Sequence, residues 1–287
     1  MRWTPGGRSR NLEDLRGQTG GGRMIGGRGM GIGGAIIALV LSLVFGVNIF
    51  DGGGGAPVPQ SSPGAVDQPV ASTPQEEERI QFVSFVLDDV QQTWAQLLPK
   101  IGDQYREARL AVFRDGVSTG CGDAPSSVGP FYCPVDEKVY LDLSFFDELD
   151  QRFGAPGDFA QAYVIAHELG HHVQHVLGIE QRVRQMQESR PNAANQLSVA
   201  LELQADCFAG VWGNSTSQRR LLQEGDVEEG LGAASAVGDD KIQSQMTGRI
   251  RPDKFTHGSA AQRTQWFRRG LESGNPNNCD TFGSLGR

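Results

Sequence analysis

The tightest constraint on this chain is a pair of histidines four residues apart with a glutamate beside the first: His167-Glu168-Leu169-Gly170-His171. On an α-helix, positions i and i+4 share a face, so both imidazoles reach one point in space. The flanking residues predict such a helix. Asp158, after Gly157, reads as its N-cap, and neither Pro nor Gly interrupts residues 158–166. Gly178 suits the left-handed position after the last turn. The helix so bounded has about five turns, with Phe159, Ala162, Ala166, Val173 and Leu177 on one side for burial. Gly170, between the histidines, leaves room for another backbone or a ligand.

Neutral imidazole binds Zn2+ readily, and a catalytic zinc site has three protein ligands with a fourth position for water. His167 and His171 supply two metal ligands. A second helix is expected after Pro191, and in it Glu202 and Asp206 share a face among the apolar neighbours Leu201, Leu203, Ala205, Cys207 and Phe208. A carboxylate in such surroundings needs a partner. Glu202 is therefore the expected third ligand, and Asp206 the acceptor of the free N–H of a ligating histidine. Glu168 is placed to take a proton from the attacking water as general base. The chain holds five histidines. His172 and His175 read as polar helix positions or supporting donors. His257, in a loop before another helix, is a candidate donor to an oxyanion, with Arg263 nearby. Tyr132, Tyr140 and Tyr163 are further possible donors among which the sequence does not choose.

Around this site the organisation is simple. Thr73-Pro74-Gln75-Glu76 is a capping box with Pro at N1. The helix it opens repeats Ile80, Val83, Leu87, Val90, Trp94 and Leu97 at helical spacing, which marks core. Residues 109–113 and 138–143 read as strands. The second of these, just before the histidine helix, is a candidate exposed edge for holding an extended substrate backbone. Helical stretches follow near residues 227–237 and 260–272. One α+β domain over residues 73–287 is ample for a core.

Residues 30–50 form an uncharged apolar run long enough to span a bilayer. It is too long for a signal-peptide core and lacks a clear cleavage site, so it reads as an uncleaved transmembrane anchor. Residues 51–72, rich in Gly, Pro and Ser, read as a flexible linker. Residues 1–29 carry six arginines against Glu13 and Asp14, a net of +4, while the rest carries 20 bases against 32 acids, a net of −12. The positive-inside rule then predicts a cytoplasmic Gly/Arg-rich tail over residues 1–29 and an extracytoplasmic domain on a bacterial cell membrane. The acidic balance beyond the span gives no support for nucleic-acid binding. Cys121, Cys133, Cys207 and Cys279 all follow the span, and an even count in an exported domain suggests two disulfides in one of three pairings.

These residues carry a family resemblance. The chain resembles the neutral zinc metallopeptidase family of bacterial membrane-anchored proteins. The match lies in Met1-Arg2-Trp3 with Asn11-Leu12-Glu13-Asp14, in Gly129-Pro130-Phe131-Tyr132-Cys133-Pro134, in residues 139–146 and 153–160, in the histidine motif, in residues 202–210 and in Phe255-Thr256-His257-Gly258. It covers nearly the whole chain except the linker. The resemblance implies a gluzincin-like, zincin-type α+β fold in which the third ligand, a glutamate, maps onto Glu202. Thr256-His257-Gly258 with Arg263 is also similar to a Thr-His-Pro element of integral-membrane zinc peptidases, with Gly258 in place of the Pro. The expected function is hydrolysis of peptide bonds in a peptide or protein substrate. The rival readings are an inactive zinc-binding or interaction module and a zinc amidase acting on cell-envelope material; oligomeric state is left open.

Overall fold

A computed structural model describes residues 1–17 and 72–286. The capping box at Thr73 forms as the sequence predicts and opens helix α1 (Pro74–Leu97), whose Ile80, Val83, Leu87, Val90 and Trp94 are fully buried. A four-stranded sheet lies against it. Its order is β1 (Leu12–Asp14), β2 (Arg109–Phe113), β6 (Lys138–Asp142) and β5 (Phe131–Cys133). β1, β2 and β6 are parallel, and β5 runs antiparallel to β6. Alternation sets the two faces of β2: Leu110 and Val112 join the helical core, while Ala111 and Phe113 pack with Cys133 and Tyr140 on the other side. There a hairpin of β3 (Gly116–Thr119) and β4 (Gly122–Pro125) is tied to β5 by the Cys121–Cys133 disulfide.

The rest of the described chain is helical: α2 (Phe145–Gln151), α3 (Asp158–Val176), α4 (Ile179–Ser189), α5 (Ala194–Gln218), α6 (Asp226–Ala236), α7 (Asp239–Thr247) and α8 (Ala260–Ser273). The histidine helix α3 occupies the centre, packed on α1, α5 and α6. Phe159 stacks on Trp212 of α5, ring centroids 5.5 Å apart, and Trp94 meets Phe208 edge-on at 5.1 Å. Asp158 begins α3 without capping it. Instead Glu229 of α6 accepts the Phe159 N–H at 3.1 Å, and Asp158 faces the α-ammonium of Met1.

Helices α5 and α8 approach most closely at two glycines. A Cβ on Gly270 would stand 1.9 Å from the Cys207 carbonyl oxygen, and one on Gly210 2.1 Å from that of Phe267. Gly270→Ala is therefore expected to cost about 1–3 kcal/mol as the helices are forced apart. Thermal unfolding of the variant checks this, and an unchanged Tm would mean that the crossing yields freely. The second disulfide, Cys207–Cys279, holds the end of the chain to α5 beside the same crossing.

The structure corrects the expected topology. β1 pairs with β2, Leu12 opposite Leu110 and Asp14 opposite Val112, so residues 1–17 belong to the same folded unit as residues 72–286. A single membrane pass between them would set paired strands on opposite sides of a bilayer. The N-terminal arginines that suggested a cytoplasmic tail are matched by acids of the domain: Arg8 by Asp14 and Glu77, Arg10 by Glu107, and the buried Arg16 by Asp14. Among the described residues no helix is long and apolar enough to cross a membrane. The expected anchor at residues 30–50, and all but the last residue of the expected linker, lie outside them. The expected membrane localisation, with a cytoplasmic N-terminus and an extracytoplasmic domain, is thereby overturned.

A second correction concerns the sheet. β6 lies between β2 and β5, so it is a covered central strand and offers no edge to a substrate. β5 takes the edge position, and its Phe131 and Tyr132 line the cavity described next.

Candidate metal centre

His167 and His171 project from one face of α3 toward Glu202 on α5. Gly170 is what lets the two helices meet: a Cβ there would lie 3.0 Å from the Ala205 carbonyl oxygen and 3.2 Å from its Cα. Ala205 stands between Glu202 and Asp206, so the close approach sets both carboxylates against the histidine face. One ligand atom from each of His167, His171 and Glu202 falls within 4.8 Å of the others. Glu202 Oε2 is 3.2 Å from His167 Nε2, and Oε1 is 3.5 Å from His171 Nε2.

The hydrogen bonds fix the tautomers. His167 Nδ1 lies 2.8 Å from Asp206 Oδ1, and an ionised carboxylate only accepts, so Nδ1 carries the hydrogen. Gln174 donates its amide nitrogen to the Leu201 carbonyl at 2.7 Å, which leaves its oxygen to accept from His171 Nδ1 at 2.9 Å. In the neutral rings both Nε2 lone pairs then converge on the Glu202 carboxylate. A proton or a metal cation between each nitrogen and the carboxylate relieves that opposition. Two imidazole nitrogens and a carboxylate oxygen are a donor set that suits zinc. Without a metal the surrounding acids favour a proton on His167. Burial alone would lower the His167 pKa, but Asp206 and Glu202 outweigh it and hold the ring at about 9. Burial would raise Glu202, yet His171 and His167 pull it far below the usual carboxylate range.

Asp206 is fully buried and anchors this arrangement from behind. Besides His167 it accepts from the Tyr163 hydroxyl at 2.6 Å and from Arg263 Nε and Nη2, each at 2.9 Å. It thus joins α3, α5 and α8. Arg263, 4 % exposed, gives Nε and Nη2 to Asp206 and Nη1 to the Val237 carbonyl at 3.1 Å, and it lines the same cavity as the histidines.

Glu168 is 8 % exposed and lines the same cavity as His167, His171, Glu202 and His257. Burial is the main cause that pushes its carboxyl up to about 7. His257 is held by a residue the sequence reading passed over. Asp239 Oδ2 accepts the backbone N–H groups of Thr256, His257 and Gly258 at 2.7, 2.7 and 3.1 Å, and its Oδ1 lies 3.0 Å from His257 Nδ1. Nε2 remains as the ring nitrogen available to the cavity. Burial lowers the His257 pKa, but Asp239 and Glu202 together raise it above its ordinary value.

Other sequence candidates take supporting places. His172 is fully buried between the Tyr132 hydroxyl, at 2.9 Å, and the Arg106 carbonyl, at 2.7 Å. His175 pairs with Glu180 at 3.0 Å. Tyr140 bonds to Asp136 on the far face of the sheet. Gln174 was discoverable, since it lies one turn from His171; Asp239 was not, because no local pattern ties it to residues 17 to 19 positions away.

Comparison with known proteins gives the family of the chain. Residues 1–282 match a family described as "Putative neutral zinc metallopeptidase". The chain is 48 % identical over 290 residues to "Uncharacterized protein YpfJ" of Escherichia coli (strain K12), with 99 % of each covered. It is 47 % identical over 206 residues to "Uncharacterized protein Mb2605" of Mycobacterium bovis, with 68 % of each covered. No solved structure gives a significant match.

Proposed function

The chain belongs to the putative neutral zinc metallopeptidase family, and on that basis we propose that it is a zinc-dependent peptidase whose metal ligands are His167, His171 and Glu202. The observation that carries this reading is the convergence of those three donors in one cavity with the buried Glu168. Zinc held there would supply a Lewis acid and a bound water of lowered pKa. Glu168, its carboxyl poised at about 7, takes the proton of the attacking water and passes it to the leaving amine. Asp206 keeps His167 in the tautomer that presents Nε2. His257, oriented by Asp239, donates from Nε2 to the oxygen that gains charge as the carbonyl becomes tetrahedral. The substrate class is a peptide or protein.

Purified protein is expected to hold one zinc per chain and to cleave a mixed peptide pool. A chelator is expected to abolish cleavage, and added zinc to restore it. Elemental analysis with mass spectrometry of the peptides reads both. A folded protein that takes up no zinc when loaded would overturn the assignment.

A further inference from the structure

The cavity around the three donors is also lined by helix α4, which packs on α5. Gly178, in the left-handed conformation, turns the chain from α3 directly into this helix. Glu180, Arg184 and Gln187 follow at helical spacing, so they share one face, and all three line the cavity. Gln187 donates its amide nitrogen to Ser198 Oγ of α5 at 2.9 Å and to the Ala194 carbonyl at 3.1 Å. Ser198 lies one turn before Glu202 on the same helix. The polar face of α4 is thus joined to the helix that carries the third metal ligand, one turn from that ligand.

Arg184 is the unusual member of this face. Its Nη2 donates to Glu180 Oε1, but its Nε is buried without a hydrogen-bond partner among the described residues. A buried donor left unpaired is costly, and folded proteins keep few of them. Glu180 is already shared, since its Oε2 lies 3.0 Å from His175 Nδ1. Burial would raise the Glu180 pKa, but His175 and Arg184 outweigh it and keep the carboxylate ionised. His175 also faces Glu137 at 3.5 Å, and Glu137 takes Arg106 at 2.9 Å. The hydrogen bond to Glu180 raises the His175 pKa and so favours its protonated form. With that proton in place the row holds three cations, Arg106, His175 and Arg184, against the two carboxylates. It fixes the guanidinium and leaves its charge only partly balanced. The other arginines of the cavity differ. Arg263 is engaged by Asp206 and the Val237 carbonyl, while Arg152 is exposed, faces Glu148 at 3.7 Å and covers the Phe153 ring.

We propose that Arg184 sets specificity by binding a carboxylate of the substrate, either the C-terminal carboxylate of a peptide or an acidic side chain. Glu180 holds the guanidinium by Nη2, and the incoming carboxylate supplies the acceptor that Nε lacks. This deepens the peptidase reading of the same cavity and rests on it. A charge-assisted hydrogen bond of this kind corresponds to a preference of about 10- to 100-fold over the uncharged counterpart.

The test uses the full chain loaded with zinc. Its probes are three mixed peptide pools of matched sequence: one with free C-terminal carboxylates, one amidated, and one with Asn and Gln in place of internal Asp and Glu. Mass spectrometry reads cleavage of each pool. Calorimetric titration of matched peptide pairs from the pools into the Glu168→Gln protein reads the same preference without turnover. A preference of about 10-fold or more for the carboxylate-bearing form is expected in both readouts, and the pool that shows it tells which carboxylate is bound. The preference should vanish in Arg184→Gln and persist in part in Arg184→Lys, which keeps the charge. Zinc content and thermal unfolding of both variants guard against a folding defect. Cleavage without the preference, or a preference unchanged in Arg184→Gln, overturns the role of Arg184 and leaves the peptidase standing. Carboxylate-selective binding that Arg184→Gln abolishes, with no cleavage of any pool by the wild type, keeps the site and overturns the peptidase. Absence of both binding and cleavage overturns the two together.

Discussion

Glu168→Gln is expected to lower kcat/KM for peptide hydrolysis by about 10²- to 10⁴-fold while the protein keeps its zinc. The amide has the shape of the carboxyl but cannot accept the proton of the attacking water. Glu168 is outside the three-donor group, so metal content should not change. Its position one residue from His167 turns it along the helix toward the cavity, and its burial raises its proton affinity into the range useful to a general base near neutral pH. Kinetics on a defined peptide, paired with elemental analysis of the same preparation, check the result. Equal activity in wild type and variant would remove Glu168 from the chemistry. Loss of zinc in the variant would instead give it a structural part in the site.

Asp206→Ala should be the most damaging single change to stability near the site. The carboxylate is wholly buried and receives bonds from Tyr163, His167 and both Nε and Nη2 of Arg263. Its removal leaves the Arg263 guanidinium buried without its counter-charge, at a cost of about 3–5 kcal/mol. For a domain of this size that is a fall in Tm of about 10 °C or more. Zinc affinity should fall about 10- to 100-fold as well, because His167 loses the acceptor that fixes its tautomer. A double variant, Asp206→Leu with Arg263→Met, should recover much of the stability, since it removes both charges together, but should not recover zinc affinity. Calorimetry and a zinc-competition titration separate the two effects. A Tm within about 2 °C of wild type for Asp206→Ala would show that the ion pair does not hold the three helices.

The two effects divide along the same line that separates what is readable in the chain from what is not. The place of Glu168 beside the histidines was legible because it follows from spacing on one helix. The capping box at Thr73, the heptad-like run from Ile80 to Trp94, and strands β2 and β6 were legible for the same reason: caps, periodicity and short apolar runs act over a few residues. Glu202 and Asp206 were legible as a pair on an apolar helix, and Cys207–Cys279 and Cys121–Cys133 as one of three pairings. The missed elements are those whose stability comes from elsewhere. β1 is three residues long and exists by pairing with β2, nearly a hundred residues on. In the first turn of α3 the free N–H of Phe159 is satisfied by Glu229, seventy residues away.

By itself, then, the sequence determined that two imidazoles and a carboxylate share one face of a buried helix, that a second helix brings acids to meet them, and that long amphipathic elements surround both. Only the tertiary structure decided which acid touches which imidazole, that Asp239 orients the His257 loop, and that the arginine-rich first residues belong to the domain and not to the far side of a membrane. The physical reason is range. Helical spacing and capping are encoded within a turn or two, whereas the partner of a buried charge is chosen by packing between segments far apart in the chain. Gly170 and the Gly210–Gly270 crossing make that packing close enough for the choice to be specific.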